Sequence, residues 1–241
     1  MKHVLEYCAH AQVGQFIQSP SLYTLLLGDR GAGKTTGGLM RILARSKTMD
    51  NQLWAVVRDT RKHLGYTVGR TIDHWYPEPH TIWANKKKES PDSCTLFRNA
   101  APVVRFNFFG VEYFNEETDD FFERTAMYDG VWFDDVDQWS FDRKHFVQAI
   151  YFIRACTQPS IQITSNFLPV NHWVSQMWKL HEDNWSSHND LNAEQAYAQA
   201  HIREQSAIFR IPDEENAADL LQPGYLARCR EVRALLASKD K

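Results

Sequence analysis

The residues that decide the fold are Tyr23-Thr24-Leu25-Leu26-Leu27, followed by Gly28-Asp29-Arg30-Gly31-Ala32-Gly33-Lys34-Thr35. An apolar, strand-like run leads into a turn rich in glycine. From Thr35 to about Lys47 the pattern becomes helical, with Leu39, Ile42 and Leu43 on one face. The turn matches G-x-x-x-x-G-K-[ST] at every fixed position. That order has a physical reason. A strand must end in a loop whose backbone N–H groups wrap a phosphate, and glycines keep Cβ atoms out of the way. The helix that follows aims its positive end at the same phosphate. Lys34 then reaches the β and γ phosphates of a nucleotide, and the Thr35 hydroxyl reaches Mg²⁺. Gly28, Asp29, Arg30, Gly31, Ala32, Gly33, Lys34, Thr35 and Thr36 are therefore the candidate nucleotide-binding residues. Gly37 and Gly38 are poor helix formers one turn into the helix; close packing on a sheet explains them.

Outward from this loop, apolar runs alternate with helical patterns, which predicts an α/β protein with a mainly parallel central sheet flanked by helices. Leu53-Trp54-Ala55-Val56-Val57 reads as a second strand, and residues 58–75 as helical for much of their length. Residues 77–101, with Pro77, Pro79, Pro91 and Lys86-Lys87-Lys88, read as a loop or β-excursion. Residues 102–109 and 111–114 flank Gly110 and predict a hairpin. Val131-Trp132-Phe133 is a short buried strand ending in Asp134-Asp135. Placed beside the loop strand, it would bring Asp134 to Mg²⁺ and let Asp135 polarise the attacking water, with Asp137 as a fallback base. Ser160-Ile161-Gln162-Ile163-Thr164 reads as another strand. Thr164, Ser165 and Asn166 at its tip are placed to sense a γ-phosphate. Helices are expected over 141–156, 172–181, 193–205 and 223–237, and a last strand over 207–211. The polar stretch 183–192 is the candidate boundary between a core, 1–182, and a C-terminal lid or linker, 183–241.

The chain has 241 residues, 43% hydrophobic and 24% charged, which suits a globular protein with a full core and argues against wholesale disorder. The four cysteines form no C-x-x-C pair, against both a disulfide scaffold and a cysteine zinc site. No apolar run has the length of a signal peptide's core or a membrane span, so a soluble, reduced, intracellular protein is expected. The net charge of −3 hides an asymmetry. Residues 1–110 carry 15 Lys+Arg against 8 Asp+Glu; residues 111–241 carry 12 against 22. A basic surface on the first part would suit phosphates. His172, His181 and His188 lack metal-ligand spacing, and no nucleophile elbow is present.

The phosphate loop, the acidic strand end and the polar strand tip, in this order, resemble the ATPase motor domain of the large terminase subunit of tailed bacteriophages. Arg30 inside the loop is similar to the family's GxRGxGKT. Gln12, Gln15 and Gln18 lie where the family reads adenine, and Gln15 is the candidate there. Val56-Val57-Arg58-Asp59-Thr60-Arg61-Lys62 resembles the family's strand after the loop helix, and Ile163-Thr164-Ser165-Asn166 its coupling motif. Glu215-Asn216 and Pro223-Gly224-Tyr225-Leu226 resemble the stretch after the ATPase core. The likeness covers about residues 10–235. It departs in one acid: the family usually has Glu where this chain has Asp135, one methylene shorter.

The resemblance implies a P-loop NTPase of the ASCE type, with ATP and Mg²⁺ as cofactors. In it Lys34, Thr35 and Asp134 neutralise the phosphates with the metal, Asp135 orients water, and Arg30 acts as an arginine finger in cis or forms a salt bridge inside the loop. A ring of copies would let a neighbour donate a further arginine, from among Arg58, Arg61, Arg70, Arg98 and Arg105. Thr164, Ser165 and Asn166 would couple γ-phosphate loss to movement. Implied partners are double-stranded DNA contacted without regard to sequence, a portal protein and a small terminase subunit. Lys86-Lys87-Lys88 is a candidate DNA contact. The implied location is the cytoplasm of the infected bacterium and, transiently, the procapsid portal. The family's two-metal nuclease is expected to be absent, since Asp183 and Asp190 do not form its acid cluster. Two other readings fit the motifs. One is a helicase-like or phage-assembly ATPase, which would separate strands directionally. The other is a weakly hydrolysing ATP-dependent binding module, kept open by Asp135.

Overall fold

The computed structural model describes residues 9, 11–84, 90–111, 128–137, 143, 146, 153, 158–181 and 200–212. In chain order the elements are α1 (Ala11–Gln18), β1 (Tyr23–Leu27), α2 (Lys34–Arg45), β2 (Gln52–Arg58) and α3 (Arg61–Leu64). A π-helical turn (Gly65–Gly69) joins α3 to α4 (Arg70–Trp75). There follow β3 (Thr81–Ala84), β4 (Ser93–Arg98), β5 (Ala101–Gly110), β6 (Gly130–Asp134), β7 (Ser160–Ser165), α5 (Trp173–Trp178) and β8 (Ser206–Arg210). Arg143 and Phe146, in the expected helix 141–156, have helical backbone. Lys86-Lys87-Lys88, residues 112–114, Asp183, Asp190, Glu215-Asn216 and the expected helix 223–237 lie outside the described residues.

All eight strands form one sheet in the order β3-β4-β5-β2-β6-β7-β1-β8. The pairs from β5 to β8 are parallel; β3 and β4 add an antiparallel extension beyond β5. β1, β6 and β7 are buried throughout, because helices cover both faces of a parallel sheet. The period of two sorts their side chains. Leu25, Leu27, Ala55, Val57, Val131, Phe133, Ile161 and Ile163 face the layer of α5 and Phe146. Trp54, Val56, Trp132, Phe106 and Phe108 face α2 and the helical segment of Leu64, Val68 and Ile72. Leu26 points the same way, into a smaller cluster with Val13 and Phe16 of α1 and Ile211 after β8. The result is a three-layer α/β/α domain. β8, within the segment 183–241, pairs with β1 and forms an edge of this core sheet.

The two helical glycines are where α2 meets its neighbours. A Cβ on Gly37 would lie 3.0 Å from Val13 Cγ1 of α1. On Gly38 it would lie 2.5 Å from Trp132 Cζ2 of β6. The expected packing explanation therefore holds for both.

Two expectations need correction. The hairpin does not turn at Gly110. It joins β4 to β5 through Asn99 and Ala100, both left-handed at φ 51° and 63°. Such a two-residue loop matches the right-handed twist of the strands. Gly110 instead ends β5, opposite Arg58. The acidic strand is not beside the loop strand either, for β7 lies between β6 and β1. This interposed strand characterises the ASCE order expected from the resemblance.

Candidate nucleotide-binding site

In parallel strands, every strand delivers its C-terminal end to the same edge of the sheet, where ligands bind α/β folds. Here that edge carries the loop after β1, Arg58 at the end of β2, Asp134 at the end of β6, and Ser165-Asn166 at the end of β7. Gly28 N–H donates to Ser165 O at 3.2 Å, tying the loop to β7. Gly31 and Gly33 have φ of 84° and 78°, which only glycine adopts at little cost. Gly33 is the N-cap of α2, and no side chain caps that helix. Its first-turn N–H groups are therefore directed at the cleft, with the positive end of the helix behind them.

The cleft has a volume of about 580 Å³ and is lined by both the loop and the acidic strand end. Arg30, Gly31, Gly33, Lys34, Thr35 and Thr36 line it from the loop side. Asp134, Asp135, Asp137 and Asn166 line it from β6 and β7, and Arg58 and Thr67 from β2 and the π-helical turn. Gly28 and Ala32 form the buried back of the loop, and Asp29 O accepts from Lys34 Nζ at 2.8 Å. Arg30 is exposed at the lip. Gln15 is exposed on α1, outside the cleft lining.

A connected set of hydrogen bonds holds the polar groups. Asp134, 2% exposed, accepts through Oδ1 from Thr35 Oγ1 at 3.2 Å and Thr164 Oγ1 at 2.7 Å. Thr164 is itself aimed by Trp132 Nε1 at 2.9 Å. Lys34 Nζ also donates to Asn166 Oδ1 at 3.0 Å, and Asn166 Nδ2 to Asp137 Oδ2 at 2.7 Å. Ser165 Oγ accepts from the Asp137 N–H at 3.2 Å. All three residues of the expected coupling tip thus meet either the loop or the acids. Arg58, 7% exposed, donates from Nη1 to Asp134 Oδ2 and to Thr67 Oγ1, both at 2.8 Å, and from Nη2 to Asp135 Oδ2.

Asp135 has a left-handed backbone, φ 62°, a conformation Asp tolerates better than most residues. Burial and the neighbouring Asp134 carboxylate push its pKa up to about 6, against the opposing pull of Arg58. A carboxyl group poised near neutral is what a general base requires. Burial lowers the Lys34 ammonium, while Asp135, Asp134, Asp137 and Asp29 oppose that shift. The donor set suits Mg²⁺: a hydroxyl and a carboxylate oxygen lie 3.2 Å apart, and among the described lining residues the possible ligands are oxygens, with no Cys or His.

Sequence reasoning placed Arg58 among arginines offered to a neighbouring copy; the structure turns it into this chain's own cleft. Thr67 was missed. The other arginines lie elsewhere: Arg61 pairs with Asp92, Arg70 stacks over Tyr66, Arg98 donates to Ser46, and Arg105 is exposed on β5.

The sequence matches no protein-family model, and no curated protein matches it significantly. Solved structures do match. The large terminase of the thermophilic bacteriophage D6E superposes with a TM-score of 0.60 at 11% identity, over 88% of this chain and 46% of that one. That terminase has also been solved in complex with ATP-gamma-S. The ATPase domain of the Thermus phage P74-26 large terminase gives 0.54 at 13% identity, over 85% and 81% of the two chains. The N-terminal domain of the DNA-packaging ATPase from bacteriophage phi29 gives 0.50 at 12%, over 80% and 91%. The chain spans about half the length of the D6E terminase. Its fold is that of phage terminase ATPase domains.

Proposed function

We propose that this chain is the ATP-hydrolysing motor domain of a viral DNA-packaging terminase, driving double-stranded DNA into a procapsid. The observation that carries the reading is the convergence of Lys34, Thr35, Asp134, Asp135 and Asn166 on one cleft of a sheet with the terminase ATPase fold. ATP places its phosphates against the N-terminus of α2 and the loop around it. Lys34 neutralises the β and γ oxygens. Thr35 and Asp134 would hold Mg²⁺, which would supply positive charge to the phosphate oxygens. Asp135, near neutral in pKa, orients the attacking water and takes its proton. Arg30, at the lip, stabilises charge on the γ oxygens. Asn166, bonded to Lys34, reports the loss of the γ-phosphate to β7. The DNA is held through its phosphates, since a packaging motor must move any sequence. A portal protein, a small terminase subunit and a ring of copies complete the machine, in the cytoplasm of the infected bacterium.

The test is ATP hydrolysis by the wild type, Lys34→Ala and Asp135→Asn, with and without double-stranded DNA. Lys34→Ala is expected to abolish turnover, and Asp135→Asn to lower kcat roughly 10²–10⁴-fold, as for loss of a general base. DNA is expected to raise the wild-type rate. Directional strand separation on a forked substrate would point to a helicase-like enzyme instead. Nucleotide binding without turnover, under any condition that assembles the ring, would point to a binding module.

A further inference from the structure

The hydrolysis reading assigns Asp134 to the metal and Asp135 to the water, yet both carboxylates already share one cation. Arg58 spans them with its two terminal nitrogens, and the nitrogen on Asp134 also reaches Thr67 Oγ1 at 2.8 Å. A guanidinium and a divalent cation bind carboxylates at the same lone pairs, so they compete. Arg58 is 7% exposed and cannot swing far without shedding these partners together. Thr67 lies in the π-helical turn Gly65–Gly69, and its hydroxyl donates in turn to His63 O at 2.9 Å. Single π-helical turns are rare and recur at functional sites. The helical segment 61–75 thus has a direct polar link to the two acids of the cleft.

We propose that Arg58 is a positioning residue that competes in cis with a divalent cation for Asp134, holds Asp135 until that cation binds and, through Thr67, transmits the occupancy to the helical segment 61–75. This rests on the nucleotide reading of the cleft and adds to it a route by which the acids move a helix. When a cation takes Asp134, the guanidinium lets go of both carboxylates, Asp135 is freed for the water, and the released group turns toward the cleft, where γ-phosphate oxygens are its natural acceptors. The brace on Thr67 is lost in the same event.

The test uses the full chain and Mn²⁺ alone as the probe, titrated by electron paramagnetic resonance at pH 8. Arg58→Gln is expected to tighten Mn²⁺ at least about tenfold, the effect of removing a cation at hydrogen-bond distance from the site. Arg58→Lys should tighten it less, because a point charge cannot fork across two carboxylates. A merely structural arginine predicts unchanged or weaker Mn²⁺ binding in both variants, and that result would overturn the proposal. A second measurement needs no variant of Arg58. Amides of 61–75 in the wild type should exchange hydrogen faster once Mn²⁺ and ATP-gamma-S are added, and unchanged exchange there would also sink it. Nucleotide binding that depends on Lys34, with no response of Mn²⁺ affinity to Arg58, would leave the ATPase reading standing and remove only the competition by Arg58. Failure of the wild type to bind ATP-gamma-S would remove the ATPase reading, while the nucleotide-free Mn²⁺ titration still decides the competition.

Discussion

Single residues carry the chemistry, and several are fixed by contacts at some distance from the cleft. Gly38 is an example. Replacing a helical glycine by alanine ordinarily gains about 0.5–1 kcal/mol. Here the new methyl group would overlap the buried Trp132 ring, and overpacking costs about 1–3 kcal/mol, so the clash wins. Trp132 also aims Thr164 at Asp134. Gly38→Ala is therefore expected to lower both Tm and ATPase rate, measured by thermal melting and phosphate release. His172 gives a pH signature. Its Nδ1 accepts from the Val174 N–H at 3.2 Å, capping α5, and its Nε2 donates to Val136 O at 3.1 Å. Only the neutral ring does both, and burial lowers its pKa below 6.5, partly offset by the Val136 carbonyl and Asp137. The unfolded chain then binds more protons than the folded one, so this stability is present above 6.5 and is lost as pH falls toward the folded pKa. His172→Asn, which keeps a capping oxygen, should flatten that part of the Tm–pH curve relative to the wild type. At this scale Lys34, Thr35 and Asp134 were legible because local spacing and a strand end define them. Arg58 and Thr67 were not, because the bond from Arg58 to Asp134 spans 76 residues and Thr67, which Arg58 also reaches, lies outside any motif. One signal was present: Arg58 directly follows the buried run Ala55-Val56-Val57, so a parallel sheet had to deliver it to the same edge as Asp134.

Elements were readable where a strand or helix states its own period. The strands at 23–27, 53–57, 131–133 and 160–164, and the helix after the loop, fall where the apolar pattern puts them. What failed was pairing and turning. Gly110 was the most visible turn residue in its region, but β4 and β5 turn at Asn99-Ala100. The second position of that turn usually signals itself by a glycine, and here an alanine occupies it. A left-handed backbone costs a residue with a Cβ about 1–2 kcal/mol, while glycine gives back about 0.5–1 through entropy. Ala100→Gly is thus expected to stabilise the protein slightly, raising Tm by about 1–4 °C for a chain of this size. A lower Tm in calorimetry would mean the turn is strained in some other way. The place of β6, one strand removed from β1, had no local signature either; adjacency in a sheet is settled by the crossovers.

In the whole molecule, the glycine-rich loop after β1 depends on chain from both ends of the described core. Ile211 N–H donates to Leu27 O at 2.7 Å, and the Ile211 side chain, 1% exposed, packs with Val13, Phe16, Leu26 and Ala32. A Cβ on Gly28 would lie 3.0 Å from Ile211 Cβ. Ile211→Ala should cost about 2–5 kcal/mol and loosen the loop from behind. A chemical-denaturation curve reads the first effect and ATP-gamma-S titration the second, which should weaken although no cleft residue is altered. The same arrangement bears on how the protein is made. β1 leaves the ribosome well before both strands that flank it, β7 (Ser160–Ser165) and β8 (Ser206–Arg210). At about 5–20 residues per second, the loop strand waits roughly 10–40 s for its second neighbour. Throughout that interval a run of leucines has an open edge, so the strand that leads into the glycine-rich loop is one the nascent chain has need to shield.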